Sequence, residues 1–359
     1  MRLATLIVRA ANRIAPGDFP LDSTTARPLR DDFGNPADEY TAAVAGAALF
    51  DLSHWTQLEL AGSDRAKFLH NFCTNEIKGL AAGSGCQAFL TNVQGKLLAH
   101  LFVYAGEQVL HLIAAPGTAE RIIKHLSRYQ INEEVTFRDV SGERGLLLVA
   151  GPGAGVMLRD IGCDVQPFVD GQHRQFPWAS SELRIFRNDF LRLSGYFVSA
   201  TAEALDDFAA TVIRAGAVRA GAAVFHSLRI GAGFPLYGVD LSDANLAQEA
   251  NLTAQAISFA KGCYLGQEPI ARIDALGHVN QQFRILRMTD GPVQVPGTEV
   301  LTADDEPRKI GQITSAALNY GTGSPVALAL MKRNYDTPGL AVGVPVGGQT
   351  IVAEVYWPE

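Results

Sequence analysis

Cysteine is scarce in this chain: four in 359 residues, at Cys73, Cys86, Cys163 and Cys263. No two of them form a C-x-x-C pair, so a zinc ribbon, a thioredoxin-type redox motif and a disulfide framework lose their usual sequence support. A cluster or zinc site would need ligands from distant segments, and no metal site is expected. No apolar run reaches the roughly 20 residues that span a bilayer. The N-terminal "MRLATLIVRAANRIAPG" has only a short apolar core, broken by Arg9 and Arg13. It lacks the longer core and cleavage site of a secretory signal, and reads as part of the mature chain. Free thiols and no secretory signal make a reducing cytoplasm the expected compartment. No surplus of basic charge exists either. Net charge is −7 and the pI about 5.6, which argues against nonspecific nucleic-acid binding. No direct nucleic-acid contact and no membrane contact are expected.

What is present is a globular composition, 47% hydrophobic and 19% charged. The length suits two or three domains. Asn35-Pro36 reads as an N-cap and first helical position before "ADEYTAAVAGAA". "WTQLELAG" alternates as a strand does. Ser63 is placed to cap "DRAKFLHNFC", where Ala66, Leu69 and Cys73 share a face, so Cys73 is assigned to the core. "CQAFLT", "LLAHLFVY" and "QVLHLIAA" read as strands, with "NVQG" as one turn. Thr118 opens a helix. "GLLLVAG" reads as a buried strand, and Thr201 opens a helix stopped at Gly216. The elements mix without strict alternation, which favours α+β over a doubly wound sheet. Beyond about Gly277 come only short strands separated by Pro, Gly and Asp, the pattern of a small β-barrel or sandwich.

Four stretches invite a chemical reading. "AGPGAG" (150–155) follows a strand but has G-x-G-x-G spacing and lacks the P-loop lysine, so it reads as a plain turn. "TNVQGKLLAH" places Asn92, Gly95 and Lys96 in a hairpin turn, and His100 alone carries little weight. "GAGFPLYGVDL" (231–241) is either a pocket-lining loop with Tyr237 and an acid, or a simple connection; spacing does not separate the two. In "SFAKGCYLGQEPIARI" (258–273), Pro269 suits a first helical position, and the short helix "IARIDAL" ends at Gly277. Cys263 then precedes a helix N-terminus beside Lys261, a setting that favours a thiolate. A cysteine packed under the loop is the competing reading, and composition alone favours it.

The residues Lys261 to Glu268 resemble the complete signature K-G-C-[FY]-x-G-Q-E of the YgfZ-type folate-binding proteins, and Arg272 matches the A-R that follows it. "LFDLSHWTQLELAGSDRAKFLHNFCTNEI" is similar to an early block that this family shares with the T-protein of the glycine cleavage system. "LRIGAGFPLYGVDL", "QEANL" and "KIGQITSAA…PVALALMKR" resemble later blocks in the same order. The similarity runs from roughly Gly34 to the end.

The resemblance implies an α+β fold: a T-protein-like folate-binding body of two interleaved α+β domains and a small C-terminal β-barrel, arranged around a central pocket. The body is expected over 1–278, with 50–139 as an inserted subdomain, and the barrel over 279–359. The implied role is that of a folate-binding accessory factor supporting maturation or repair of iron–sulfur proteins, and thereby tRNA modification. Iron–sulfur proteins or their assembly factors are the implied partners and tetrahydrofolate the implied ligand. Cys263 is the implied reactive thiol. Asn92, Tyr237, Lys261, Tyr264, Gln267, Glu268 and Arg272 are the implied folate contacts. Two alternatives share the fold: a tetrahydrofolate-dependent aminomethyl- or methyltransferase, and a binding protein that has lost folate.

Two departures bear on the choice. The T-protein carries an acidic pair after its N-x-x-G-G turn, and here those positions are Ala99 and His100. The glutamate of R-[IL]-E-A-G, which reads the pterin ring in the T-protein, is Gly231. A charged hydrogen bond contributes about 1.5–3 kcal/mol, so this loss weakens the expected folate site. Asp240 and Glu249 are the candidates to replace it.

Overall fold

The computed structural model describes residues 29–166 and 168–358. The N-terminal stretch read above as part of the mature chain lies outside the described residues.

The chain begins with α1 (Pro36–Ala45), opened as its sequence predicts: the Asn35 side chain accepts from the Ala37 N–H and Pro36 stands first in the helix. Then come β1 (Ala48–Asp51), β2 (Thr56–Ala61), α2 (Arg65–His70), β3 (Ser84–Thr91), β4 (Leu97–Ala105), β5 (Val109–Ala114), α3 (Ala119–Ser127) and β6 (Thr136–Asp139). β7 (Gly145–Ala150), α4 (Ala154–Asp160), β8 (His173–Trp178), β9 (Ser181–Asn188), β10 (Gly195–Ala200), α5 (Ala202–Arg214), β11 (Val218–Arg219) and α6 (Ala222–Gly231) follow. Two short helical segments, a 3₁₀ turn (Ala247–Ala250) and α7 (Thr253–Ala256), lead to α8 (Gln267–Leu276). The remainder is all strand: β12 (Gln281–Met288), β13 (Glu299–Thr302), β14 (Lys309–Asn319), β15 (Ser324–Lys332), β16 (Ala341–Val346) and β17 (Gln349–Tyr356).

These strands build two open sheets and one closed barrel. The first sheet has the order β11-β1-β7-β10-β9-β8, the second β3-β4-β5-β2-β6, and the barrel β12-β15-β14-β13-β16-β17. The second sheet is drawn wholly from the chain between β1 and β7, which are neighbours in the first. Antiparallel pairing across that long excursion interleaves the two α+β units. Glycine makes one of their contacts possible. A Cβ on Gly171 would lie 2.4 Å from the Gly85 carbonyl oxygen, and one on Gly85 2.6 Å from Tyr104. The loop before β8 crosses β3 only because both side chains are missing.

α6 joins the body to the barrel. It packs on α1 on one side and on β14 and β15 on the other, and seven of its ten residues are buried. A helix apolar nearly all round is a core helix. At its C-terminal half Arg229 is fully buried and donates through Nη1 to Asp240 Oδ2 at 2.7 Å. Asp240 Oδ1 accepts from Thr314 and Ser315 of β14, each at 2.6 Å. "GAGFPLYGVDL" is therefore the connection that ties the body to the barrel.

Two helix starts differ from the sequence reading. Ser63 does not cap α2; Asp64 precedes the helix, and the Ser63 hydroxyl donates to Glu134 at 2.8 Å instead. α8 begins at Gln267 after Gly266, so Pro269 is its third residue. First-turn N–H groups have no intrahelical acceptor, and proline costs no bond there. "AGPGAG" is the turn from β7 into α4, as its spacing predicts. Among the described residues no helix is long and apolar enough to cross a membrane.

Candidate functional site

The cysteine loop lies against the edge strand β3 and the turn that follows it. Thr91 donates to the Leu265 carbonyl at 3.0 Å. A Cβ on Gly266, whose φ is +83°, would stand 2.3 Å from the Asn92 carbonyl oxygen. Only glycine lets the two turns meet this closely. From the other side Gly95 meets Pro269 and Ile270. The Asn92 side chain holds its own turn, accepting from the Gln94 and Lys96 N–H groups at 2.9 and 3.0 Å. "TNVQGK" and "CYLGQE", far apart in sequence, form one docked layer.

Lys261 pins this layer to α2. Its ammonium donates to the carbonyls of His70 and Cys73, both at 2.6 Å, and of Asn75 at 2.9 Å. It also sits 4.7 Å from the Tyr264 ring centroid. These carbonyls belong to the end of α2 and the segment beyond, where a cation is favoured. All three donors of Lys261 are engaged, and none remains for the neighbouring thiol. This corrects the expectation that Lys261 stabilises a Cys263 thiolate. Burial pushes the Lys261 ammonium down to about 8 and the Tyr264 phenol up to about 12.

Cys263 itself is exposed, while Cys73 and Cys163 are buried and Cys86 half-buried. Burial raises the thiols of Cys73 and Cys86 to about 12 and that of Cys163 to about 11. Thiolate is the reactive form. Iodoacetamide at neutral pH is therefore expected to label Cys263 first, with the other three protected until the protein unfolds. Peptide mass spectrometry reads the order directly; equal labelling of Cys73 and Cys263 would contradict it.

The layer unites Asn92, Lys261, Cys263, Tyr264 and Gln267. Glu268 and Arg272 are exposed on α8. Tyr237 is buried elsewhere, its hydroxyl accepting from Arg121 Nη1 of α3 at 2.9 Å.

Where the two sheets and the barrel meet, aromatic side chains fill the centre. Trp55, Phe102, Phe190, Phe197, Phe225 and Phe234 belong to one buried cluster that also takes in Phe283 and Ile285 of the barrel. His100 lies at its edge, with ring centroids 5.0 to 5.4 Å from Phe89, Phe102 and Phe234. Its Nε2 meets Gln87 Oε1 at 3.1 Å. Burial pulls the imidazole down to about 3, so it is neutral at physiological pH. Ala99 faces the opposite way, into the separate core beneath α2 and α3. Beside the aromatic cluster lies a cavity of about 210 Å³, lined among others by Gln87, Phe102, Tyr104, Asp170 and Gln255. Burial and the charge of Asp189 raise the Asp170 carboxyl. Sequence reasoning did not single out Gln87, Tyr104, Asp170 or Gln255. The alternation of β4 places Phe102 and Tyr104 on the His100 face, a signal the sequence did contain.

The two acids expected to replace the missing glutamate are both engaged. Asp240 is held by Arg229, Thr314, Ser315 and the Leu236 N–H. Glu249 accepts from the Asn245 side chain at 3.0 Å, the Leu246 N–H at 3.2 Å and Gln281 at 3.3 Å. At Gly231 itself a Cβ would meet nothing within 4 Å.

The GCVT N-terminal domain matches residues 11–261, and the glycine cleavage T-protein C-terminal barrel domain matches residues 281–358. The chain belongs to the glycine cleavage T-protein family. It is 26% identical over 330 residues to the aminomethyltransferase of Rippkaea orientalis, covering 90% of this chain and 88% of that one. It is also 26% identical over 329 residues to a chloroplastic protein of Arabidopsis thaliana whose name provisionally calls it a transferase, covering 90% and 74%. The crystal structure of the glycine cleavage system aminomethyltransferase T from Bartonella henselae has the same fold, with a TM-score of 0.81 at 22% identity and 90% and 88% coverage. Within this T-protein fold, positions 99, 100 and 231 hold alanine, a neutral histidine and glycine. Among the described residues no group of three or more His, Cys, Asp or Glu side chains is arranged to hold a metal ion.

Proposed function

We propose that this T-protein-family chain is a folate-linked accessory factor of the YgfZ type, which supports the maturation or repair of iron–sulfur proteins through the Cys263 thiol, and thereby tRNA modification. One observation carries the reading: the exposed cysteine of a complete K-G-C-Y-L-G-Q-E loop, clamped between the β3 turn and α2. The loss of both acids at 99 and 100 supports it from the other side. A general base must take a proton near the working pH, and His100 titrates near 3. Aminomethyl transfer on the T-protein plan would need a base from outside positions 99 and 100. The four unpaired thiols support a reducing compartment such as the cytoplasm. In cells whose iron–sulfur enzymes depend on this chain, Cys263→Ala removes the support, and retained support would remove the thiol from the mechanism.

Tetrahydrofolate, when bound, supplies one-carbon carriage. The residues fit its flat heterocyclic head in part. Gln87 and Gln255 offer amides, but Phe102 and Tyr104, which also line the cavity, are packed against other rings, and its 210 Å³ is below the size that usually holds a whole small-molecule ligand. Asp240 and Glu249 are committed to the fold, and the carboxyl at the cavity is that of Asp170, whose Oδ1 accepts from the Asp189 N–H at 3.2 Å. Weak folate binding follows, and Gly231→Glu is expected to strengthen it. A Cβ at position 231 meets nothing within 4 Å, and a glutamate that reaches the pterin from there adds a charged hydrogen bond, so calorimetry should show the tetrahydrofolate Kd falling at least about tenfold. An unchanged Kd would mean that the pterin does not reach position 231. The transferase reading is favoured instead if the purified protein turns over a methylamine-type donor with tetrahydrofolate.

A further inference from the structure

Along α3 the body carries a groove of about 430 Å³, away from the cysteine loop, whose lining includes Leu98, Glu120, Arg121, Lys124, His125 and Arg128. We propose that this groove binds a compact polyanion, a phosphate ester or a short oligocarboxylate. Arg121, Lys124 and Arg128 stand at i, i+3 and i+7, which places them along one side of the helix. In a chain of net charge −7, the three cations of the lining face Glu120 and, through Arg121, Asp243, so the local field is positive chiefly at Lys124 and Arg128. Arg121 is held in place: its Nη1 donates to the Tyr237 hydroxyl at 2.9 Å and to Asp243 at 3.3 Å.

The second observation lies in the groove wall. His125 is 9% exposed, and its buried Nε2 has no hydrogen-bond partner among the described residues. A buried polar group without a partner calls for an explanation, and an anionic oxygen seated between the cations provides one. Burial and the charge of Arg128 pull the imidazole down, so the neutral ring contributes an N–H rather than a charge. The Leu98 side gives the groove an apolar face against which a ligand's carbon frame can lie.

The site touches the folate reading only through Tyr237, the partner of Arg121, and is probed without folate present. It is tested by titrating the full chain with inorganic pyrophosphate and, separately, with triglutamate, at constant ionic strength and with chloride as control. One of the two is expected to saturate at 1:1 with a Kd below about 1 mM, and the stronger arm identifies phosphate or carboxylate. Lys124→Glu/Arg128→Glu is expected to weaken that binding at least tenfold at an unchanged melting temperature. His125→Phe, checked for the same melting temperature, is expected to weaken it as well, because diffuse surface charge would not register a buried ring. Failure of both anions to saturate overturns the proposal, as does His125→Phe binding with wild-type affinity.

Discussion

Replacing Asp240 by alanine is expected to cost the protein about 3–5 kcal/mol, the range found when one partner of a buried ion pair is removed. Few single changes reach that size. Asp240 and Arg229 are both 0% exposed at the side chain, and the aspartate carries four partners drawn from three places. Oδ2 takes Arg229 and the Leu236 N–H, and Oδ1 takes the Thr314 and Ser315 hydroxyls of the barrel. Without the carboxylate, the guanidinium is a buried charge without a counter-charge; its Nη2 already lacks a partner among the described residues. The Ser315 hydroxyl and the Leu236 N–H lose their acceptor as well, and Thr314 keeps only the Leu328 carbonyl at 3.3 Å.

The barrel should loosen from the body before either melts. Urea unfolding, together with limited proteolysis of the link between α8 and β12, reads both effects. A loss below about 1 kcal/mol would mean that the pair is solvated and the latch is not one. The double replacement Arg229→Met/Asp240→Leu should recover part of the loss, because it removes the orphaned charge along with its partner.

The sequence made the elements legible where local chemistry decides them. Asn35-Pro36 opens a helix by its own side chain and ring. The change of pattern after Gly277 announces the barrel, since short strands between Pro and Gly have few other uses. The alternation of "LLAHLFVY" separates Ala99 from His100 across the sheet. Local signals failed where a distant group competed. Ser63 was free to cap α2 until Glu134, from the next sheet edge, took its hydroxyl. Lys261 looked like a neighbour of Cys263, but its three acceptors are 186 to 191 residues away in sequence, and no periodicity reveals them.

The centre was hidden for the same reason. Trp55, Phe102, Phe190, Phe225 and Phe234 come from separate segments, and only the interleaving of the sheets stacks them. The acids read as substitutes for the missing glutamate failed because each is committed to holding the fold. Asp240 fixes the barrel and Glu249 fixes the 3₁₀ turn and Gln281. A sequence shows that a carboxylate exists but not that its lone pairs are already taken.

Cys263→Ala separates the chemistry of the thiol from the stability of the fold. The residue is exposed and its loop is held by Thr91, Gly266 and Lys261 rather than by the thiol. Stability should therefore stay within about 0.5 kcal/mol of wild type, and a change in function reads the thiol's chemistry alone. The assay is the activity of iron–sulfur enzymes in extracts of cells that depend on this chain, with the variant expressed at the wild-type level. Enzyme activity is expected to fall to that of cells lacking the protein, and Cys263→Ser is not expected to rescue it. Full iron–sulfur enzyme activity with Cys263→Ala would contradict that expectation.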